Sequence, residues 1–318
     1  MNRIAAFAAS TLIVCTVGQA LAAEATPPAN YLYTSAGELQ DHLAILARPD
    51  ISGVQVVYNW RQLEKKEGQY DFSQIETDLA AAKSLGKQLV IQVQDRFFSP
   101  EARNIPDYVQ RGRKYGGGLV PQQEEGKSEP YGWTTMQWNP AVRARFQALL
   151  AALGKAFDGR VFAVNLPETA IDVSEKQKRP GFSCDAYFNA ELENLGAARA
   201  AFPHAHVVQY VNFWPCEWDN DHAYMSRLFE YAAAHDIGLG GPDIVPWRKG
   251  QMHNSYPFFN QYKGKLSFVG MAVQEPTLAY VNDKTGKPFT REEFTAFATD
   301  YLGVNAIFWS AETPWLSQ

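Results

Sequence analysis

Residues 53–94 read GVQVVYNWRQLEKKEGQYDFSQIETDLAAAKSLGKQLVIQVQ. Two apolar, β-rich runs, 53–58 and 88–94, flank an amphipathic segment at 73–85, so the stretch is one strand–helix–strand unit. Tyr70-Asp71-Phe72 introduces the helix, Ser73 is a candidate cap, and Gly86 lets the chain turn back into the next strand.

The same alternation extends in both directions. Strands are expected at 31–33, 53–58, 88–94, 161–166, 206–212, 238–241, 267–274 and 306–309. Helices are expected at 36–47, 73–85, 140–157, 187–202, 221–235, 253–262 and 291–301, with a final helix short or absent. Asn139-Pro140 is a cap followed by proline at the first helical position, and Gly159 fits the stop. Eight strands alternating with helices in one domain-sized chain predict an α/β fold, the (β/α)8 TIM barrel, as a single domain over 23–318. No glycine-rich dinucleotide turn follows the first strand, which disfavours an open doubly wound sheet. One connection is anomalous: residues 95–139, after the third strand, form a long loop rich in aromatic residues, with a short helix expected near 105–111. In a barrel that loop lies on the C-terminal rim, where it would wall a substrate cleft.

Two strands end at a glutamate beside a proline: VFAVNLPE (161–168) and LSFVGMAVQEP (266–276). Glu168 and Glu275 lie 107 residues apart (275 − 168), room for three strand–helix units at roughly 30 residues each. Two carboxylates opposed across a barrel mouth are what glycoside hydrolysis needs, Glu168 as acid/base and Glu275 as nucleophile. Asp95, Glu217, Asp243 and Glu312 also follow strands; of these, Asp243 is the first to test should Glu275 prove dispensable. Tyr210, Asn212, Arg96 and His253 are candidate donors to an ionised nucleophile.

The chain has eight tryptophans. Trp60, Trp214, Trp218, Trp247, Trp309 and Trp315 fall at or beyond strand C-termini, with Trp133 and Trp138 in the long loop. Indoles gathered on one rim suit stacking on sugar rings. The substrate-binding candidates are therefore Trp60, Asp95, Asn165, Asn212, Trp214, Asp243, Trp247 and Trp309.

Residues 1–22 carry Arg3, an apolar run and Ala20-Leu21-Ala22, a signal peptide with cleavage expected after Ala22 and a secreted or periplasmic product. Cys184 and Cys216 are then an even pair in an oxidising compartment, a candidate disulfide. A net charge of −5 without a basic cluster argues against nucleic acid or an anionic membrane as partner. No HExxH or regular Cys/His spacing suggests a metal, and no cofactor is expected. There is no GxSxG elbow and no Walker loop.

Residues 59–94, with a strand ending in Trp, then LE, Gly, YDF, a helix and GK before an apolar strand, resemble the (β/α)8 glycoside hydrolases of clan A. With the two glutamates and IFWS at 307–310, the resemblance covers roughly residues 51–310. It implies an acid/base after strand four, at Glu168, a nucleophile after strand seven, at Glu275, and a tryptophan flooring the sugar subsite, at Trp309. It departs in one place: Pro167 stands where an Asn that binds the sugar 2-hydroxyl usually precedes the acid/base, leaving Asn165 or Asn212 to substitute. The expectation is a secreted, retaining, endo-acting glycosidase with a carbohydrate substrate. The alternative is a non-catalytic carbohydrate-binding barrel.

Overall fold

A computed structural model describes residues 27–123, 127 and 129–317. The expected signal segment, residues 1–22, lies outside the described residues. No helix among the described residues is long and apolar enough to cross a membrane.

Eight parallel strands close into a barrel: β1 Ala29–Ser35, β2 Gly53–Asn59, β3 Gln88–Gln94, β4 Ala163–Leu166, β5 His206–Tyr210, β6 Gly238–Gly241, β7 Val269–Val273 and β8 Ala306–Ser310. They pair in chain order, and β8 returns to β1 with Leu32 opposite Trp309 and Tyr33 opposite Ser310. The (β/α)8 expectation matches this fold.

Each strand divides its side chains by parity. Tyr31, Val90, Ala163, Val208, Tyr210, Ala272 and Phe308 form one cluster, inside the barrel. Leu32, Val56, Ile91, Val164, Met271, Val273 and Trp309 belong to the other, between the barrel and its helices. β6, with the sequence GLGG, is short of side chains because its neighbours fill the space. A Cβ on Gly240 would come within 1.9 Å of the Gly270 carbonyl oxygen, with the Tyr210 ring 3.1 Å away.

The main covering helices are α1 Ser73–Ser84, α2 Pro140–Phe157, α3 Cys184–Ala201 and α4 Tyr224–Ala234. Asn139 caps α2 as expected, its side chain accepting from the Ala141 amide at 2.9 Å. Ser73 does not cap α1; it is the first helical residue, and Asp71 accepts from its amide at 3.2 Å. The helix expected at 221–235 starts later, at Tyr224, because the Glu217 carboxylate accepts from the Tyr224 and Met225 amides at 2.5 and 3.0 Å. Glu217 is therefore a capping group.

Three other helices differ from expectation. The segment 36–47 is a 3₁₀ turn, Leu39–His42, followed by one α turn, Leu43–Leu46, after a turn at Gly37 with φ +94°. Residues 253–262 split into Lys249–Asn254 and Tyr256–Gln261, where Pro257 cannot donate to a continuous ladder. Residues 291–301 are α-helical over Arg291–Phe297 and widen into a π turn over Ala298–Leu302. After β8 the described residues form a 3₁₀ turn, Pro314–Leu316.

The long 95–139 connection is not structureless. It holds a short helix, Asp107–Arg111, and an antiparallel hairpin, Leu119–Gln122 against Gly132–Thr135, which Phe97 extends by bridging to Trp133. Phe98 stacks on Tyr131 with centroids 5.9 Å apart. Cys184, opening α3, is bonded to Cys216 in the loop after β5, with Cα atoms 6.2 Å apart. In the chain-entropy account such a link contributes roughly 3–4 kcal/mol.

Candidate active site

A cleft of about 560 Å³ opens at the C-terminal ends of the strands. Its floor and walls include Tyr33 from β1, Gln92 and Gln94 from β3, Glu168 after β4, Tyr210 and Asn212 at the end of β5, Asp243 after β6 and Gln274 after β7. Phe97, Phe98 and Gln123 of the long connection close one side, so that connection walls the cleft.

Glu168 is held by its neighbours' backbone. The Gln209 amide donates to the Pro167 carbonyl, the Thr169 amide to Tyr210 O at 3.0 Å, and the Thr169 hydroxyl to Phe213 O at 2.8 Å. Burial pushes the Glu168 carboxyl up to about 8, and the negative charge of Asp243 adds to the shift. The Arg96 charge and a hydrogen bond from Asn212 oppose it. Asp243 is also raised by burial, offset by the Thr277 hydroxyl that donates to its carboxylate. Burial first, and then the charge of Asp243, thus disfavour ionisation of Glu168, which keeps its proton near neutral pH. Tyr33 is shifted upward by burial and then by the charges of Glu275, Asp243 and Glu168, so it remains a protonated donor among all three.

Glu275 is placed differently from Glu168. Along β7 the inward row is Gly270, Ala272 and then Gln274, which lines the cleft and donates to Pro242 O at 2.9 Å. Glu275 follows beyond the strand, as the first residue of a helical turn, Glu275–Leu278. It is exposed, accepts from the Ser310 hydroxyl, and borders a smaller adjoining pocket with Glu38 and Glu312. The two pockets share Tyr33, Phe97 and Gln274.

Of the other expected site residues, Asn212, Trp214 and Asp243 line the cleft. Trp214 is 3% exposed, and its indole N–H finds no acceptor among the described residues. Trp247 borders a second groove. The remaining four need correction. Trp60 is buried against Phe146, its N–H given to Glu64 at 2.8 Å. Trp309 lies on the outward parity of β8, packed on Phe294 and Trp315 and donating to Asn30 at 2.8 Å; Ser310 takes the inward place at the strand end. Asp95 is consumed by Arg96 at 2.6 Å and the Gln137 amide at 2.7 Å. Asn165 sits in the barrel interior, where its amide is 3.4 Å from Gln55 in a network with Gln92 and Tyr210. Arg96 does not serve Glu275; it is buried between Asp95, Glu191 and Tyr187, 3.4 Å from the Glu168 carbonyl.

Tyr33, Gln92, Gln94 and Gln274 were not anticipated. Their signal was strand parity, which places each two residues after an inward-facing position.

The chain matches no protein-family model and no curated protein. Among solved structures it is similar to the catalytic domain of a β-amylase from Paenibacillus polymyxa (TM-score 0.59, 8% identity, 89% of this chain and 93% of that one). It is also similar to a psychrophilic family 10 endo-β-1,4-xylanase (0.53, 11%, 91% and 89%) and to a xylanase from Cellvibrio japonicus (0.52, 12%, 89% and 86%). The fold is the (β/α)8 barrel that these structures share. At these identities the likeness concerns the barrel, and the chemistry rests on the cleft.

Proposed function

We propose that the protein is a secreted glycoside hydrolase that cleaves a poly- or oligosaccharide internally, with Glu168 as general acid. The observation that carries this reading is Glu168 itself: a carboxyl raised to about 8, held in a walled cleft beside a second carboxyl, Asp243. The fold likeness and the clan resemblance of residues 59–94 support the same chemistry. The open cleft with its aromatic wall supports endo action. The N-terminal segment and the Cys184–Cys216 bond support export.

The second catalytic carboxylate in this reading is Asp243. The resemblance supports a retaining course. An Asp243 oxygen attacks the anomeric carbon while the bond to the leaving oxygen breaks and Glu168 gives that oxygen its proton. Water, losing a proton to Glu168, then attacks the same carbon and releases Asp243. Asn212, already bonded to Glu168, stands where a sugar hydroxyl beside the acid would be bound.

A second reading keeps the nucleophile at Glu275. It is favoured by the position of Tyr33, which feels the charge of Glu275 as well as those of Asp243 and Glu168. Here Glu275 would leave Ser310 and enter the cleft past Tyr33. The test begins with a screen of plant-wall and bacterial-envelope polysaccharides for release of reducing ends. On the substrate found, NMR of the first-formed anomer decides between retention and inversion. Full activity in Glu168→Gln would overturn the proposal, and glycan binding without turnover would make the protein a binding barrel.

A further inference from the structure

Beside the cleft lies a second groove of about 780 Å³. Phe213 lines both, and Gln251 of the groove reaches Asn212, the partner of Glu168, at 3.5 Å. A chain bound in the cleft can therefore continue into the groove.

The groove presents two indoles that the fold does not bury. Trp218 is 56% exposed and Trp247 59% exposed. Trp247 has φ +61°, a backbone conformation that a bulky side chain rarely adopts and that is strained. Contacts to Phe297 and Tyr301, with centroids 4.9 and 5.3 Å away, hold its ring in place. An exposed indole fixed at such a cost is shaped for a ligand with a flat apolar face, which a sugar ring has.

Charge separates the two grooves. The cleft lining carries Glu168, Asp172 and Asp243 and, among the described residues, no Lys or Arg. The second groove carries Arg248, Lys249 and Lys284 against the single acid Asp283. All three cations are exposed, and none makes an ion pair among the described residues; Arg248 lies over the Tyr280 ring at 4.5 Å.

We infer that this groove is a distal binding site for an acidic sugar unit, a uronate, of the same glycan whose uncharged unit occupies the cleft. The inference rests on the carbohydrate reading of the cleft and narrows its substrate to an acidic polysaccharide.

The probes are a galacturonic acid trisaccharide and the neutral galactose trisaccharide of the same linkage, titrated into the full secreted chain by calorimetry. The acidic trisaccharide should bind saturably and roughly tenfold more tightly than the neutral one at low salt. That preference should shrink as salt screens the exposed cations. Trp218→Ala should weaken both ligands about tenfold. The double change Arg248→Gln with Lys284→Gln should remove only the preference. A thermal melt guards against unfolding, and both are surface changes. Glu168→Gln should bind the acidic trisaccharide like the parent while losing turnover. Equal binding of the two trisaccharides, no saturable binding, or indifference to both variants would overturn the inference. If binding behaves as described but Glu168→Gln keeps full turnover, the groove stands and the catalytic reading falls.

Discussion

The Ser310 hydroxyl donates to the Glu275 carboxylate, tying the end of β8 to the first turn after β7. That bond turns Glu275 towards the adjoining pocket, and Gln274 occupies the inward place at the end of β7. Asp243, by contrast, lies in the cleft and acts on the Glu168 carboxyl.

The first prediction follows from this arrangement. Asp243→Asn should lower kcat/KM by about 10²–10⁴ or more, the range of a lost catalytic carboxyl. Glu275→Gln should stay within about tenfold of the parent, because its present role is a hydrogen bond at the rim. Steady-state kinetics on the substrate identified by screening provide the check. The reverse ranking would return the nucleophile to Glu275.

The second prediction concerns pH. Activity should fall as pH rises through about 8, where Glu168 loses the proton it must donate. Stability should follow the same group. Its folded value lies above the ordinary 4.5, so between pH 4.5 and about 8 the folded protein holds a proton that the unfolded chain has released. This contribution favours folding fully below 4.5 and is lost as pH rises through the folded value. Denaturant midpoints at pH 5, 7 and 9 should therefore show Glu168→Gln gaining on the parent as pH increases. A constant difference would mean that the carboxyl is not raised.

The barrel was legible because each unit repeats the pattern of residues 53–94, and caps such as Asn139 are local chemistry. Parity near strand ends was harder to read. A strand drawn to Gln274 or Trp309 shows where the rim begins but not which face the next residue takes, and a one-residue difference exchanges Glu275 for Gln274 and Trp309 for Ser310. The hairpin 119–135 was missed because its strands have only four residues each and are fixed by Phe97 across the loop. Glu168 was legible because proline ends its strand. Its raised proton affinity was not, since it comes from burial in the assembled cleft and from Asp243, distant in sequence.

Arg96 provides a third prediction. It is 1% exposed and neutralises Asp95 at 2.6 Å and Glu191 at 2.8 Å. Arg96→Met would leave both carboxylates buried without a cation, which should cost about 3–5 kcal/mol in a denaturant titration. Because the Arg96 charge also lowers the Glu168 carboxyl, the alkaline limb of the pH–activity profile should move upward in the variant that remains folded. A loss of stability with an unmoved limb would confine Arg96 to holding the loop.

The last prediction separates two tryptophans that look alike in the sequence. Trp309 is 0% exposed, packed edge-on to Trp315 at 5.2 Å, with its N–H given to Asn30. Removing it opens a cavity in the helix layer and takes a donor from the Asn30 side-chain oxygen, so Trp309→Ala should lose about 3–5 kcal/mol. Because no part of its ring lines the cleft, KM should stay unchanged under conditions where the variant is folded. Trp214 lines the cleft with a free N–H. Trp214→Phe keeps an aromatic ring against Phe188, whose centroid is 4.9 Å away, but removes that donor. It should raise KM several-fold, the scale of one neutral hydrogen bond, with little change in melting temperature. A KM effect from Trp309 that exceeds the effect from Trp214 would place the sugar on the far side of β8 and overturn the assignment of the cleft.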